Sequence, residues 1–211
     1  MIKLKDRQTG LLYGSYCADA LSLGVHWIYD TNELAQKHGR ITHYKAPGGD
    51  SYHPHKQTGD QGHVGDQALC LLKFLTKEKT WNSSHFMDHW LGMWPDYNDY
   101  VDGATKSTLA QAQNQTDKTQ AGSDSVEIAG PARIAPLVAF LSNSSENLVV
   151  KAAVEQTMLT HRSKEAEESA TFLAKAGYRL VHGASLLDTL KETAPEWALQ
   201  SANSVLSQNA V

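Results

Sequence analysis

Y-H-P-H-K-Q-T-G-D-Q-G-H-V-G-D-Q-A-L-C-L-L-K-F-L, residues 52 to 75, changes character at its midpoint. Its first half is polar and broken by Gly59, Gly62 and Gly65, whereas Ala68, Leu71, Leu72 and Leu75 repeat at the i, i+3, i+4, i+7 spacing of a buried helix face. A loop therefore delivers the chain onto an apolar helix, with Asp66 where an N-cap belongs. Free N–H groups and the positive end of the helix dipole favour an anion at such a junction. Asp66 serves there either as the cap, the plainer reading, or as a carboxylate turned outward toward a metal or substrate.

The same helical period recurs along the chain. An opening helix is expected from about Arg7 to Ser22, with Leu11, Gly14, Ala18, Leu21 and Val25 as its inner stripe and the two small residues admitting a close neighbour. Thr31 starts a short helix that Gly39 ends, and Asn82 or Ser83 caps another that Pro95 stops. Further helices are expected over 103–113, 128–141, 146–160, 164–182, 185–193 and 195–207. Pro131 suits a first turn, and Pro136 would kink or interrupt the rest of that helix. No alternating strand pattern stands out. The fold class is all-α, as one domain.

With 211 residues, 41% hydrophobic, and 19 Lys and Arg against 23 Asp and Glu, the net charge is -4. No basic block marks a nucleic-acid or anionic-membrane partner, and neither is expected. Cys17 and Cys70 lie in apolar helical patterns without metal spacing, so buried free thiols in the cytoplasm are expected. Lys3, Lys5 and Arg7 before an apolar run loosely imitate a signal peptide, but Asp6 breaks the charge and the run keeps a helical stripe. No run is long enough to span a bilayer.

Several polar residues stand out against these patterns. Asp19 falls beside Leu12, Tyr16 and Leu23 on the helical wheel, so its carboxylate must be paired, hydrogen-bonded or coordinated; a distant Arg or a backbone amide is the simplest partner. His26 and Trp27 open an aromatic stretch that reads as a pocket wall or as core. His43, His53, His55 and His63 crowd one loop but form no complete zinc pattern. Asp96, Asp99 and Asp102 could hold a hard cation, although most such runs are caps and turns.

Taken in order, Gly14…Asp19-Ala20-Leu21, the loop from Gly59 to Gln67, Gly130…Arg133-Ile134-Ala135-Pro136-Leu137 and Thr160-His161 resemble the ADP-ribosylglycohydrolase family over nearly the whole chain. His26-Trp27-Ile28-Tyr29-Asp30, Gly65-Asp66-Gln67 and the run from Tyr97 to Lys106 are similar to the branch that contains the J-type crystallins. The resemblance implies an orthogonal all-α bundle whose cleft binds ADP-ribose or an ADP-ribosylated substrate. It also implies two magnesium ions (Mg2+) that position and acidify the attacking water. Carried onto this sequence, Asp66 becomes the catalytic carboxylate, and Asp19, Asp66, Asp99 and Asp102 the available metal ligands. His26, Trp27, His63, Gln67, Arg133, Thr160 and His161 become the substrate-binding set. The family's Thr-Asp-Asp-Thr falls near His63 to Asp66 with a single carboxylate, and the chain contains no Asp-x-Asp. A hydrolase with an altered metal shell and an inactive binding or structural protein are the leading expectations, with an unrelated histidine metalloprotein built on His53, His55 and His63 as a distant third. The family continues through further helices, whose absence would leave apolar faces uncovered and favour a homodimer.

Overall fold

The computed structural model describes residues 2–49 and 51–194. Its helices are α1 (Leu4–Leu23), α2 (Thr31–Lys37), α3 (His63–Glu78), α4 (Ser83–Leu91), α5 (Gly103–Ala112), α6 (Ala129–Ala132), α7 (Ala135–Leu141), α8 (Glu146–Met158), α9 (Lys164–Val181) and α10 (Leu186–Thr193). Among the described residues there is no sheet, only a parallel bridge between Ser123 and His161. The all-α expectation holds, and the helix expected over 195–207 lies outside the described residues.

The apolar period of α3 organises the core. Leu71, Phe74 and Leu75 are buried against Phe86, Met87 and Trp90 of α4 and Leu137 of α7. Each such side chain is worth about 1.5–3 kcal/mol relative to exposure. A second cluster joins Ile134, Val138, Val149, Ala153 and Ala174. Here α8 and α9 pack as a hairpin, and the alanines at 166, 170 and 174 are fully buried. Capping matches the sequence at several ends: Asp30, Asn82, Asp102, Ser145, Ser163 and Ser185 each accept a backbone N–H of the helix they precede.

Three expectations need correction. Helix α3 begins at His63, so Gly62 is its N-cap and Asp66 sits one turn inside. The cap comes instead from another helix: Asp19 of α1 accepts the Gly62 N–H at 2.6 Å. A Cβ on Gly65 would lie 2.4 Å from Asp19 Oδ2, so this approach requires glycine. The α1 stripe is displaced: Ala20 and Leu23 are buried, while Gly14 and Ala18 are exposed and Gly14 meets no neighbour. Cys17 is exposed and only Cys70 is buried, both as free thiols. The interruption expected at Pro136 is present: 128–141 splits at Arg133-Ile134, because Pro136 has no N–H to give the preceding turn and restarts the helix in the first turn of α7.

Candidate functional site

A cavity of about 770 Å³ opens where the end of α1, the start of α3 and the segments before α5 and α6 meet. Asp19, His26, Trp27, His63 and Asp102 all line it, together with Tyr29, Tyr100 and Glu127. Past Leu23 the chain turns tightly, and Trp27 takes φ +67°, a left-handed conformation that a bulky side chain seldom adopts. Such a residue costs about 1–3 kcal/mol and persists only where its surroundings fix it. The fixing contacts are aromatic. Trp27 stacks on His26 with centroids 4.0 Å apart, and Tyr100 and Tyr52 meet its ring edge-on at 4.5 and 4.9 Å. Trp27, Tyr29 and Tyr100 line this cavity and, with Tyr52, also a second one of about 550 Å³ that shares their rings, so they form an aromatic lip between the two.

Two imidazole–carboxylate arrangements reach the cavity, one through His63 and Asp102 and the other through His26 alone. His63 Nε2 lies 2.8 Å from Asp102 Oδ2, and Asp102 Oδ1 accepts the Thr105 N–H that caps α5. Burial opposes the charge on Asp102, but His63 and Thr105 outweigh it and hold the carboxyl well below the usual range. In the second arrangement His26 Nδ1 lies 2.9 Å from His53 Nε2, and His53 Nδ1 lies 2.9 Å from Asp99 Oδ1. Burial also opposes the charge on Asp99; the Tyr100 N–H and His53 overcome it and lower its pKa. Burial, with His53 and His63 close by, brings His26 down to about 4, so its ring is neutral at neutral pH.

The remaining sequence candidates lie elsewhere. Asp66 opens onto a different cavity, of about 600 Å³, beside Cys70, His89 and Tyr97. There it accepts from Lys56 Nζ at 2.5 Å and from the Tyr97 hydroxyl at 2.9 Å. Gln67, Arg133, Thr160 and His161 form a network behind the cavity wall, each at most 1% exposed. Arg133 donates to Gln67 Oε1 and Thr160 Oγ1, Trp90 donates to the same Gln67 oxygen, and Thr160 Oγ1 lies 2.9 Å from His161 Nδ1. Burial lowers Arg133 to about 10 and, with Arg133 adding to it, His161 to about 4. These four residues hold the helix breaks together, and none of them lines the cavity.

The four nominated metal carboxylates do not fit a two-magnesium centre. Asp19 Oδ2 accepts from the Gly62 N–H, Asp66 Oδ2 from Lys56 and Tyr97, and Asp99 Oδ1 from the Tyr100 N–H with His53 beside it, leaving Asp99 Oδ2 buried without a partner, while Asp102 uses both oxygens on His63 and Thr105. Magnesium needs several anionic oxygens converging on one point. Among the described residues, Asp102 alone of the four belongs to an ion-sized group, formed with Glu127 and His161, whose potential ligand atoms lie within 4.8 Å of one another. That mixed set, with an imidazole nitrogen, suits a borderline metal better than magnesium.

Sequence reasoning placed His53 in the histidine-rich loop, as a candidate metal ligand with His55 and His63, and passed over Tyr52, Tyr100 and Glu127. His-Pro-His was the available signal for His53, because a proline between two imidazoles fixes their directions apart. His53 is in fact 1% exposed while His55 faces solvent. Glu127 is one acidic residue in an irregular segment, and nothing local marked it.

The match to the ADP-ribosylglycohydrolase family model extends over residues 1–210. Crystallin J1A of Tripedalia cystophora is 26% identical over 196 residues, covering 85% of this chain and 60% of the relative. Crystallin J1B of the same organism is 27% identical over 200 residues, covering 86% and 60%. The chain thus spans about 60% of the length of these curated relatives. A solved structure, described as an ADP-ribosylglycohydrolase-related protein complex, is similar with a TM-score of 0.69 and 24% identity, over 93% of this chain and 65% of that one. It supports the fold alone. On the strength of the family match, which takes in the cavity residues from Asp19 to Glu127, the chain belongs to the ADP-ribosylglycohydrolase family.

Proposed function

We propose that the cavity binds an ADP-ribosyl or related ribosyl group and that the protein hydrolyses its glycosidic bond. One observation carries this reading: Asp19, His26, Trp27, His63 and Asp102, drawn from three separate stretches of the chain, line the same cavity beneath an aromatic lip. Flat aromatic walls take a nucleobase by stacking, and imidazoles with carboxylates below them suit the hydroxyls and the reacting water of a ribosyl group. Strain at Trp27 supports a binding role, because a bulky side chain held left-handed at a pocket mouth is a feature of ligand clamps. Magnesium does not fit the carboxylates nominated for it, and no step is routed through it.

A second reading has its own observation. Among the described residues no lysine or arginine lines the cavity, whereas Asp19, Asp102 and Glu127 do. A pyrophosphate entering this wall meets like charge, which favours an inactive structural protein of the crystallin kind. Titration calorimetry with ADP-ribose separates the two. Binding is expected, and Trp27→Ala should weaken it about tenfold, since base–aromatic stacking is worth about 1–3 kcal/mol. Binding together with release of ADP-ribose from a modified protein supports the hydrolase. No binding at millimolar ligand by a folded protein leaves the structural reading.

A further inference from the structure

We propose that Asp99, His53 and His26 form a proton relay that makes His26 Nε2 the proton acceptor of the cavity. The inference rests on the hydrolase reading for its substrate but on hydrogen-bond direction for its chemistry. An ionised carboxylate only accepts, so Asp99 Oδ1 must accept a hydrogen bond from His53 Nδ1–H, at 2.9 Å. With that single proton on the His53 ring, the other nitrogen, Nε2, carries a lone pair. It can only accept, and its partner at 2.9 Å, His26 Nδ1, must donate. His26 is thereby held as the Nδ1–H tautomer, and its lone pair is left on Nε2.

The placement of the three rings agrees with that order. Asp99 and His53 side chains are 3% and 0% exposed, whereas His26 is exposed and lines the cavity. The stack of Trp27 on both imidazoles, at 4.0 and 5.2 Å, prevents either ring from turning over. Titratable and charged groups facing the relay are Asp19 and His63 across the cavity, Asp102 before α5, Tyr52 and Lys56 from the long loop, and Tyr100 beside Asp99.

In the step itself a cavity water gives one proton to His26 Nε2 while its oxygen bonds to the anomeric carbon. The glycosidic bond breaks, and the leaving group departs with the electron pair and takes a proton from bulk water. His26 passes its Nδ1 proton to His53 Nε2, so the positive charge rests on His53 against Asp99 as an ion pair. The relay then runs backward and His26 releases the proton to solvent. His26 is the catalytic residue; His53 and Asp99 are positioning residues.

Long-range nitrogen–proton NMR of histidine-labelled protein at neutral pH tests the relay without any substrate. The expected spectrum shows both His26 and His53 protonated at Nδ1, and Asp99→Asn shifts His26 toward the Nε2–H form, since an amide can donate where the carboxylate could only accept. An Nε2–H His26 in the wild type overturns the proposal, and so does a D99N spectrum with unchanged tautomers. The wild-type spectrum decides alone if that variant does not fold. Where turnover is measurable, His53→Gln should lower kcat about 100-fold or more with KM within about twofold, as expected on losing general-base assistance. A parallel rise in KM with kcat unchanged overturns the relay's catalytic role. Expected tautomers without ADP-ribose binding reject the substrate assignment and leave the relay standing.

Discussion

Arg133 and His26 both sit at breaks between helices, and both carry polar groups on otherwise apolar stretches. Arg133 is 1% exposed and its guanidinium is spent on Gln67 and Thr160. With the Gln156 amide oxygen turned toward it, that oxygen also accepts from Arg133 Nε and Nη2 at 2.8 and 3.2 Å. His26 is exposed and uses one nitrogen on His53, leaving the other toward the cavity. Residue type alone does not separate a structural polar network from a reactive one. Which donor and acceptor atoms remain unspent, and whether water can reach them, does.

The largest effect should come from the buried side. Arg133→Ala leaves the oxygens of Thr160 and Gln156 without their guanidinium donor in a dry interior, while Gln67 keeps only Trp90. A loss of about 2–6 kcal/mol is expected, at about 1–3 kcal/mol for each of the two buried neutral acceptors left unpaired. Urea unfolding measures it. A loss under about 1 kcal/mol would mean that water reaches the network, and the contrast with His26 would collapse.

Acid should separate the regions next. His161 is fully buried with a pKa near 4, against 6.5 for an ordinary histidine. Between those values the unfolded chain binds the proton and the native state does not, so stability falls as pH drops from about 6.5 to 4 and is fully present above that window. At about 1.4 kcal/mol per pKa unit, the drop from 6.5 to about 4 corresponds to a loss on the order of 3–4 kcal/mol. His26 is depressed similarly, but solvent reaches it and its share should be smaller. Unfolding midpoints across this range check the sign, and a His161→Gln variant should flatten the slope. A slope unchanged in that variant would put the buffered proton elsewhere.

Much of the fold was legible because apolar period and capping chemistry agree locally. The leucines of α3, the alanines of α9 and the caps at Asn82, Asp102 and Ser163 needed no long-range information. The errors occurred where a partner came from elsewhere in the chain. Asp66 had the position of a cap, but Asp19, 43 residues away, reaches the Gly62 N–H first and starts the helix a turn earlier. The site was legible in part for the same reason. His26, Trp27, His63 and Asp102 were marked by their unusual settings, whereas the link from His26 through His53 to Asp99 joins three separate stretches and has no local signature.

The smallest effect is expected at Asp66, and it sharpens the comparison from the other cavity. Its carboxylate is 19% exposed and bound to Lys56 and Tyr97, so it is neither a cap nor a free ligand. Asp66→Asn keeps the shape, retains an acceptor for Tyr97 and loses only a partly solvated ion pair. The cost should be under about 1 kcal/mol, as for most pairs that water still screens. Magnesium gives the decisive control. An ion bound only by the native state raises the unfolding midpoint by mass action, so a ligand role for Asp66 requires a magnesium-dependent rise that vanishes in D66N. The hydrogen bonds already made by this carboxylate predict instead that wild type and D66N respond to magnesium alike. If the variant alone loses the response, Lys56 must move aside for the ion, and Asp66 joins His26 among the groups whose chemistry is available rather than spent.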